Sequence, residues 1–173
     1  MAVILPPLRD IIHPGVRVLL VGINPGIRSA EIGHHFAGYS NRFWKLLHES
    51  GLVPEAIGAE DDARLPEWGL GITNLIARAT PGIDTLRPAE YPAGLAILRR
   101  KVRRWKPRVV AFVGVTLYRG IFAKKGAIAL GLQDDTFEGA RVVVLPNPSG
   151  RNANFSYAEM LAAFRALAAV ATC

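Results

Sequence analysis

The sequence predicts an α/β fold, a three-layer α/β/α sandwich around a mainly parallel central sheet, with residues 1–173 forming a single domain. Three observations carry that expectation. Short, almost wholly apolar runs that end in glycine or proline recur at Val16–Gly22, Arg108–Gly114 and Arg141–Pro146, as strands buried on both faces of a parallel sheet do. Stretches with apolar residues at helical spacing separate them, so strands and helices alternate along the chain. With 173 residues, half of them hydrophobic, the chain suits one compact domain with a full core.

Residues 1–15 are punctuated by proline and are expected to wrap the domain ahead of the first strand. Val16, Val18, Leu19, Leu20 and Val21 make that strand, and Gly22-Ile-Asn-Pro-Gly26 stops it. Pro25 removes a backbone donor and the two glycines admit tight dihedrals, which holds Asn24 at the turn. Residues 27–38 follow as a loop long enough to form a pocket wall. An aromatic-rich helix then covers about 41–50, with Phe43, Leu46 and Leu47 toward the core. Residues 54–68 hold Glu55, Glu60, Asp61, Asp62 and Glu67 and read as a solvated acidic connector facing away from any nucleic acid. Gly69–Leu75 reads as a short strand, 77–84 as a turn-rich loop, and about 89–106 as a helix with Pro92 tolerated in its first turn. After the strand at 108–114, a short helix covers about 116–125. Leu132–Phe137 either pairs with Val142–Leu145 as an edge hairpin around Glu138-Gly139 or is a plain connector. A final helix over about 156–171 puts Tyr157, Leu161, Phe164 and Ala168 at core spacing.

Two of the buried strands break into similar Asn-Pro turns, Gly22–Gly26 and Pro146-Asn-Pro-Ser-Gly-Arg-Asn-Ala-Asn154. If those strands are parallel neighbours, Asn24 and Asn147 converge beyond the carboxyl end of the sheet, where open α/β sheets bind ligands. Each turn taken alone is also compatible with an ordinary strand-to-helix connection.

Composition narrows the function classes. A net charge of +7 suits a polyanionic partner, because cations that neutralise phosphates release condensed counterions. The densest basic run, Arg99–Arg108, has Leu95, Leu98, Val102 and Trp105 at helical spacing on its opposite side and reads as a solvated helix face. Cys173 is the single cysteine, which excludes intrachain disulfides and cysteine-ligated zinc or iron–sulfur centres. The apolar runs are too short to span a membrane and Met1–Pro7 lacks the pattern of a signal peptide, so a cytoplasmic address is expected. The first loop has neither the Gly-x-Gly-x-x-Gly phosphate turn nor a Walker lysine, which argues against a nucleotide-binding regulator.

Gly22-Ile-Asn-Pro-Gly26, His34-His-Phe, Asn41-Arg-Phe-Trp44, Ala77-Arg-Ala-Thr-Pro-Gly82 and Asn147-Pro-Ser-Gly150 occur in this order over nearly the whole chain. Together they resemble the mismatch-specific uracil-DNA glycosylase and thymine-DNA glycosylase family of the uracil-DNA glycosylase superfamily. The resemblance implies the same α/β/α fold and a monofunctional, cofactor-free and metal-free glycosylase. Such an enzyme is a monomer that acts on double-stranded DNA with G:U or G:T mismatches and leaves an abasic site. It implies that Asn24 matches the catalytic asparagine and Phe36 the aromatic that stacks on the flipped base. Ile23, Gly26, Ser29, His35 and Asn147 then belong to the base pocket. The loop of Ser149, Gly150, Arg151, Asn152 and Asn154 matches the element that enters the duplex and grips its backbone. Arg151 and His34-His35 resemble the thymine-DNA glycosylase branch, whereas Asn147-Pro-Ser-Gly150 is the form of the bacterial mismatch enzyme. A nucleoid location through DNA follows from the same resemblance, and the alternative within it is a non-catalytic binder of mismatched or abasic DNA.

The residue types suit the chemistry. A base inside a duplex has to be extruded before its bond is reached, and a mispaired base costs less to extrude. Breaking the N-glycosidic bond leaves an electron-poor sugar and an anionic base, so a placed water and donors for negative charge are needed. An asparagine carbonyl orients water but has no useful basicity, which predicts slow turnover resting on leaving-group stabilisation. Backbone N–H groups of residues 23–29 and the Asn147 amide are the expected donors, with a turn-stabilising role as the other reading of Asn147. His35 is read either as a donor to base or phosphate or as a satisfied structural residue. Glu31 is the only carboxylate near the first loop and is either a helper to the water or a solvated side chain.

Overall fold

Alternate residues of each apolar run face opposite sides of the sheet, and both sides are covered, which is why the runs carry almost no polar residues. The computed structural model describes residues 4–172; Cys173 and the first three residues of the Met1–Pro7 stretch lie outside them. The elements are β1 (Val18–Gly22), α1 (Ile27–Ile32), α2 (Phe43–Glu49), a 3-10 helix (Ala59–Trp68), β2 (Leu70–Asn74), a 3-10 turn (Ile83–Thr85), α3 (Glu90–Trp105), β3 (Val109–Val113), α4 (Val115–Phe122), β4 (Gly131–Phe137), β5 (Ala140–Leu145) and α5 (Tyr157–Ala171). The sheet order is β2-β1-β3-β5-β4, parallel except for the edge strand β4.

Val18, Leu20, Val109, Ala111, Val143 and Leu145 face one layer, where they pack with α2, α5 and the 3-10 helix. Leu19, Val21, Val110, Phe112, Val142 and Val144 face the other, against α3 and α4. Three layers result, as the alternation of strands and helices predicts. Among the described residues no helix is long and apolar enough to cross a membrane.

Several local readings change. The hairpin form of 131–145 is the one adopted: Glu138 (φ 48°) and Gly139 (φ 85°) are both left-handed, the two-residue turn whose twist matches that of its strands. Residues 27–38 are not all loop, since 27–32 form the short helix α1. Residues 59–68 are not a solvated connector either. Leu65 there is fully buried, and Asp62 is a buried carboxylate that accepts from the His35 amide (2.9 Å) and contacts His34 Nδ1 (3.0 Å). A charge pattern alone does not reveal such a residue, because its partners come from a loop 27 positions earlier. The core stripe of α5 is Met160, Ala163, Phe164 and Leu167; Tyr157 and Leu161 flank it, half-buried, so the helix is rotated by about one residue from the expected spacing. On α3, Arg99 and Arg103 both pair with Glu138 in the hairpin turn and Lys101 with Asp10, so part of the basic run ties layers together.

Candidate active site at the carboxyl edge of the sheet

β1 and β5 are not neighbours. β3 runs between them, and the loops after β1 and β5 meet across its end, so Asn24 and Asn147 line one cavity of about 250 Å³ together with Val113 at the end of β3. That is small beside the pockets that hold drug-sized ligands and suits a single-ring base. A larger groove of about 470 Å³ lies along α3, and none of the motif residues lines it.

Asn24 is clamped by the 77–82 loop. Its Nδ2 donates to the Arg78 carbonyl (2.9 Å), to Thr80 Oγ1 (2.8 Å) and, at 3.3 Å, to the Pro25 carbonyl. The Thr80 hydroxyl donates in turn to the Gly82 carbonyl at 2.7 Å, so its oxygen receives the Asn24 hydrogen. Two carbonyls accept only, which settles which end of the amide is which. Among the described residues no donor bonds Oδ1, so that oxygen is the end left to the cavity. The clamp has a foundation: Ile76 N and Thr80 N donate to the Ile23 and Pro25 carbonyls, continuing the β1–β2 pairing past the strand ends. Arg78 is itself held by a bidentate pair with Glu90. Thr80, 4% exposed, and Asn74 are among the lining residues to which the sequence reading gave no place in the pocket. Asn74 sits opposite Gly22 in the parallel register, and a Cβ on Gly22 would lie 2.5 Å from its Oδ1. The Asn74 amide thus occupies the space that a side chain at Gly22 would take.

Phe36 lines the cavity with a backbone φ of 49°, a left-handed conformation that costs a side-chain-bearing residue about 1–2 kcal/mol. Its surroundings impose it. His35 N is bonded to Asp62 on one side, Ala37 N donates to Ser29 Oγ (3.0 Å) on the other, and the ring stacks on Phe43 with centroids 4.1 Å apart at 18°. One ring face is thus backed by a core aromatic, leaving the opposite face for a planar ligand. Ser29 is buried and serves this loop as an acceptor while also lining the cavity. Gly26 caps α1, whose first-turn amides lack intrahelical acceptors, and Gly26 and Ser29 of that turn line the cavity.

His35 is 2% exposed and lines the cavity too. Its Nε2 lies 2.7 Å from the Arg9 carbonyl, which only accepts, so Nε2 carries the proton and the ring's donor is already used. Burial pushes its pKa below the ordinary imidazole value, with the Arg9 bond and the Asp62 charge opposing in part. The neutral ring therefore has no second N–H to offer a base or phosphate. Protonation is favoured in the unfolded chain, so this residue's contribution to stability is complete above the ordinary imidazole range, about 6.5, and is lost as pH falls below it. Thermal melting from pH 7.5 to 5 should accordingly fall less steeply for His35→Gln, whose amide can still donate to Arg9 but does not titrate, than for the wild type. Parallel curves would place the acid sensitivity elsewhere.

Asn147 makes the turn of its second reading and leaves its Nδ2 unused. Oδ1 accepts from Ser149 N at 3.0 Å, forming the turn, while Nδ2 has no acceptor among the described residues. Asn152 is spent on the loop: its Nδ2 donates to the Asn147 carbonyl and its Oδ1 accepts from Asn154 N, both at 3.0 Å. That differs from the expected contact with DNA and leaves the Asn154 amide as the exposed one. Arg151 is exposed and forms no ion pair among the described residues; with Asn152 and Asn154 it lines a neighbouring cavity of about 320 Å³ that shares Asn147 and Ser149 with the first. The loop is locked to residues 40–42 by Gly150 N to Ser40 O (2.8 Å), Arg42 N to Pro148 O (2.9 Å) and an Asn41–Ser149 bridge. A Cβ on Gly150 would meet the Ser40 carbonyl at 2.6 Å. Glu31 is exposed and absent from the cavity wall, which contains no carboxylate among the described residues. Among the described residues no group of three or more His, Cys, Asp or Glu could hold a metal ion.

The sequence model of the uracil DNA glycosylase superfamily matches residues 10–168. Among solved structures, the solution NMR structure of a protein from Methanosarcina acetivorans, provisionally described as a uracil DNA glycosylase, is similar with a TM-score of 0.61. The two share 20% identity over 96% of this chain and 99% of that one. At that identity the likeness speaks to the fold, with the same mostly parallel sheet between helical layers.

Proposed function

The chain belongs to the uracil DNA glycosylase superfamily, and from that premise we propose that it extrudes uracil paired with guanine from duplex DNA and hydrolyses its N-glycosidic bond. Thymine opposite guanine is the related substrate the same pocket would take, and the whole chain acts as one catalytic domain. The observation that carries this reading is the Asn24 clamp, which fixes the amide so that only its carbonyl oxygen faces the cavity. In the reaction the C1′–N1 electron pair leaves with the base, water adds to C1′, and its proton passes to solvent or to the released base. Asn24 Oδ1 orients that water, Phe36 backs the base, and Asn147 Nδ2 with the first-turn amides of α1 receives the charge that develops on it. No carboxylate lines the cavity and His35 is spent on Arg9, so leaving-group stabilisation rather than a strong base supplies the rate.

The direct test is single-turnover release of free base from a guanine–uracil duplex. A protein that binds this duplex and its abasic counterpart but liberates no uracil is a damage binder, and the catalytic proposal fails. Thr80→Val tests the clamp without changing the shape of the wall. The variant loses the hydroxyl's bonds to both Asn24 and the Gly82 carbonyl; loss of the first, about 0.5–1.5 kcal/mol, lets the amide turn and should slow excision roughly 3- to 10-fold at unchanged abasic-DNA affinity. An unaltered rate would mean that the Arg78 and Pro25 carbonyls suffice to hold Asn24.

A further inference from the structure

Of the described residues' large apolar side chains, Tyr39 is the one aromatic left in the open, 88% exposed at the rim of the cavity. It is not loose. The Arg28 guanidinium lies 3.9 Å from its ring centroid, and Arg28 Nε donates to the Ala37 carbonyl at 2.9 Å, so the cation is pinned under the ring. The loop that carries Tyr39 is tied down on both sides, by Ala37 N to Ser29 Oγ and by Gly150 N to Ser40 O. Its neighbours Gly38 and Asn41 line the base cavity, and Ser40 touches the residue beside Arg151. Arg28 has no carboxylate partner among the described residues. A rigid aromatic plate backed by an unneutralised guanidinium therefore stands across the Ser40–Gly150 junction from the Arg151 loop.

We infer that Tyr39 and Arg28 form a platform for the damaged strand, with the open face of Tyr39 stacking on the base next to the extruded nucleotide and Arg28 offsetting a flanking phosphate. This rests on the base-flipping reading of the cavity. Extrusion strips the adjacent base of its stacking partner, and an aromatic face replaces that partner whatever the base, because every base has a π-face. The contact follows one strand, so it is needed on single-stranded and duplex DNA alike. In that it differs from Arg151, which has a gap to fill only in a duplex.

The test uses abasic-analogue DNA, duplex and single-stranded, with 2-aminopurine on either side of the abasic position. Wild type should quench the probe on one side. Tyr39→Ala should lose that quench and bind both DNAs about 5- to 50-fold more weakly, whereas Tyr39→Phe keeps both properties. Arg28→Gln should make the affinity–salt slope shallower by about one unit. Melting temperatures should not move for Tyr39→Ala, since the ring packs on no core residue; if that variant misfolds, Tyr39→Leu carries the same comparison. Affinity within about twofold of wild type on both DNAs, or weaker binding with the quench intact, overturns the platform. Since abasic DNA needs no excision, a wild type that releases no uracil yet shows the Tyr39-dependent quench would defeat the catalytic proposal and leave the platform standing. Normal release with no such quench would do the reverse.

Discussion

Asn24→Ala is expected to lower single-turnover excision of uracil by about 10²- to 10³-fold or more while binding of abasic-analogue duplex stays within several-fold of wild type. The asymmetry follows from what the side chain touches. All three contacts of Nδ2 are to the protein's own loops, and Oδ1 faces the cavity, so in the proposed reaction the residue addresses a water and not the DNA backbone. Removing it takes away an interaction needed in the transition state and scarcely any ground-state binding. Asn24→Asp is the informative companion. A carboxylate in that position would face the Arg78 and Pro25 carbonyls with an acceptor where Nδ2 now donates, so it should not restore the rate merely by being a better base. Near-normal excision by Asn24→Ala would move water activation to another group.

Arg151→Ala is expected to slow excision from a guanine–uracil duplex by ten-fold or more, roughly what losing about 1.4 kcal/mol of differential stabilisation implies, and to leave single-stranded uracil DNA nearly unaffected. The Arg151 guanidinium has no ion pair among the described residues, and its loop is riveted to residues 40–42, so the side chain projects from a stiff support. A guanidinium stacks on bases and reaches phosphates at once, as an alkyl wedge does not. With Asn152 bonded within the turn, Asn154 is the amide that would meet the unpaired guanine in the proposed complex. Equal losses on the two substrates, with a salt slope shallower by about one unit, would instead make Arg151 a phosphate contact only. Gly150 sets a related limit, since a side chain there would press on the Ser40 carbonyl and shift the support.

The layers are legible in the chain alone. Continuous apolar runs flanked by helical periodicity have few arrangements other than a doubly covered parallel sheet, and loops at strand ends then fall at one edge. For the same reason the two Asn-Pro turns could be paired in advance, although the intervening β3 could not, because strand order depends on packing between segments remote in sequence. What each polar side chain does depends on partners that folding brings to it. Asp62 reads in sequence as one of five surface carboxylates and is the buried anchor of His34 and His35; His35 reads either as a donor to base or phosphate or as a structural residue, and its Nε2–H donates to the Arg9 carbonyl. Thr80 and Asn74 carried no periodic signal and stand beside Asn24 and Gly22 because parallel pairing runs past the ends of β1 and β2. Hydrophobic burial is short-range in what it asks of a sequence, a pattern of two or 3.6 residues, and so can be read locally. A hydrogen bond asks for one partner at one distance and direction, and here those partners come from 26 to 56 residues away.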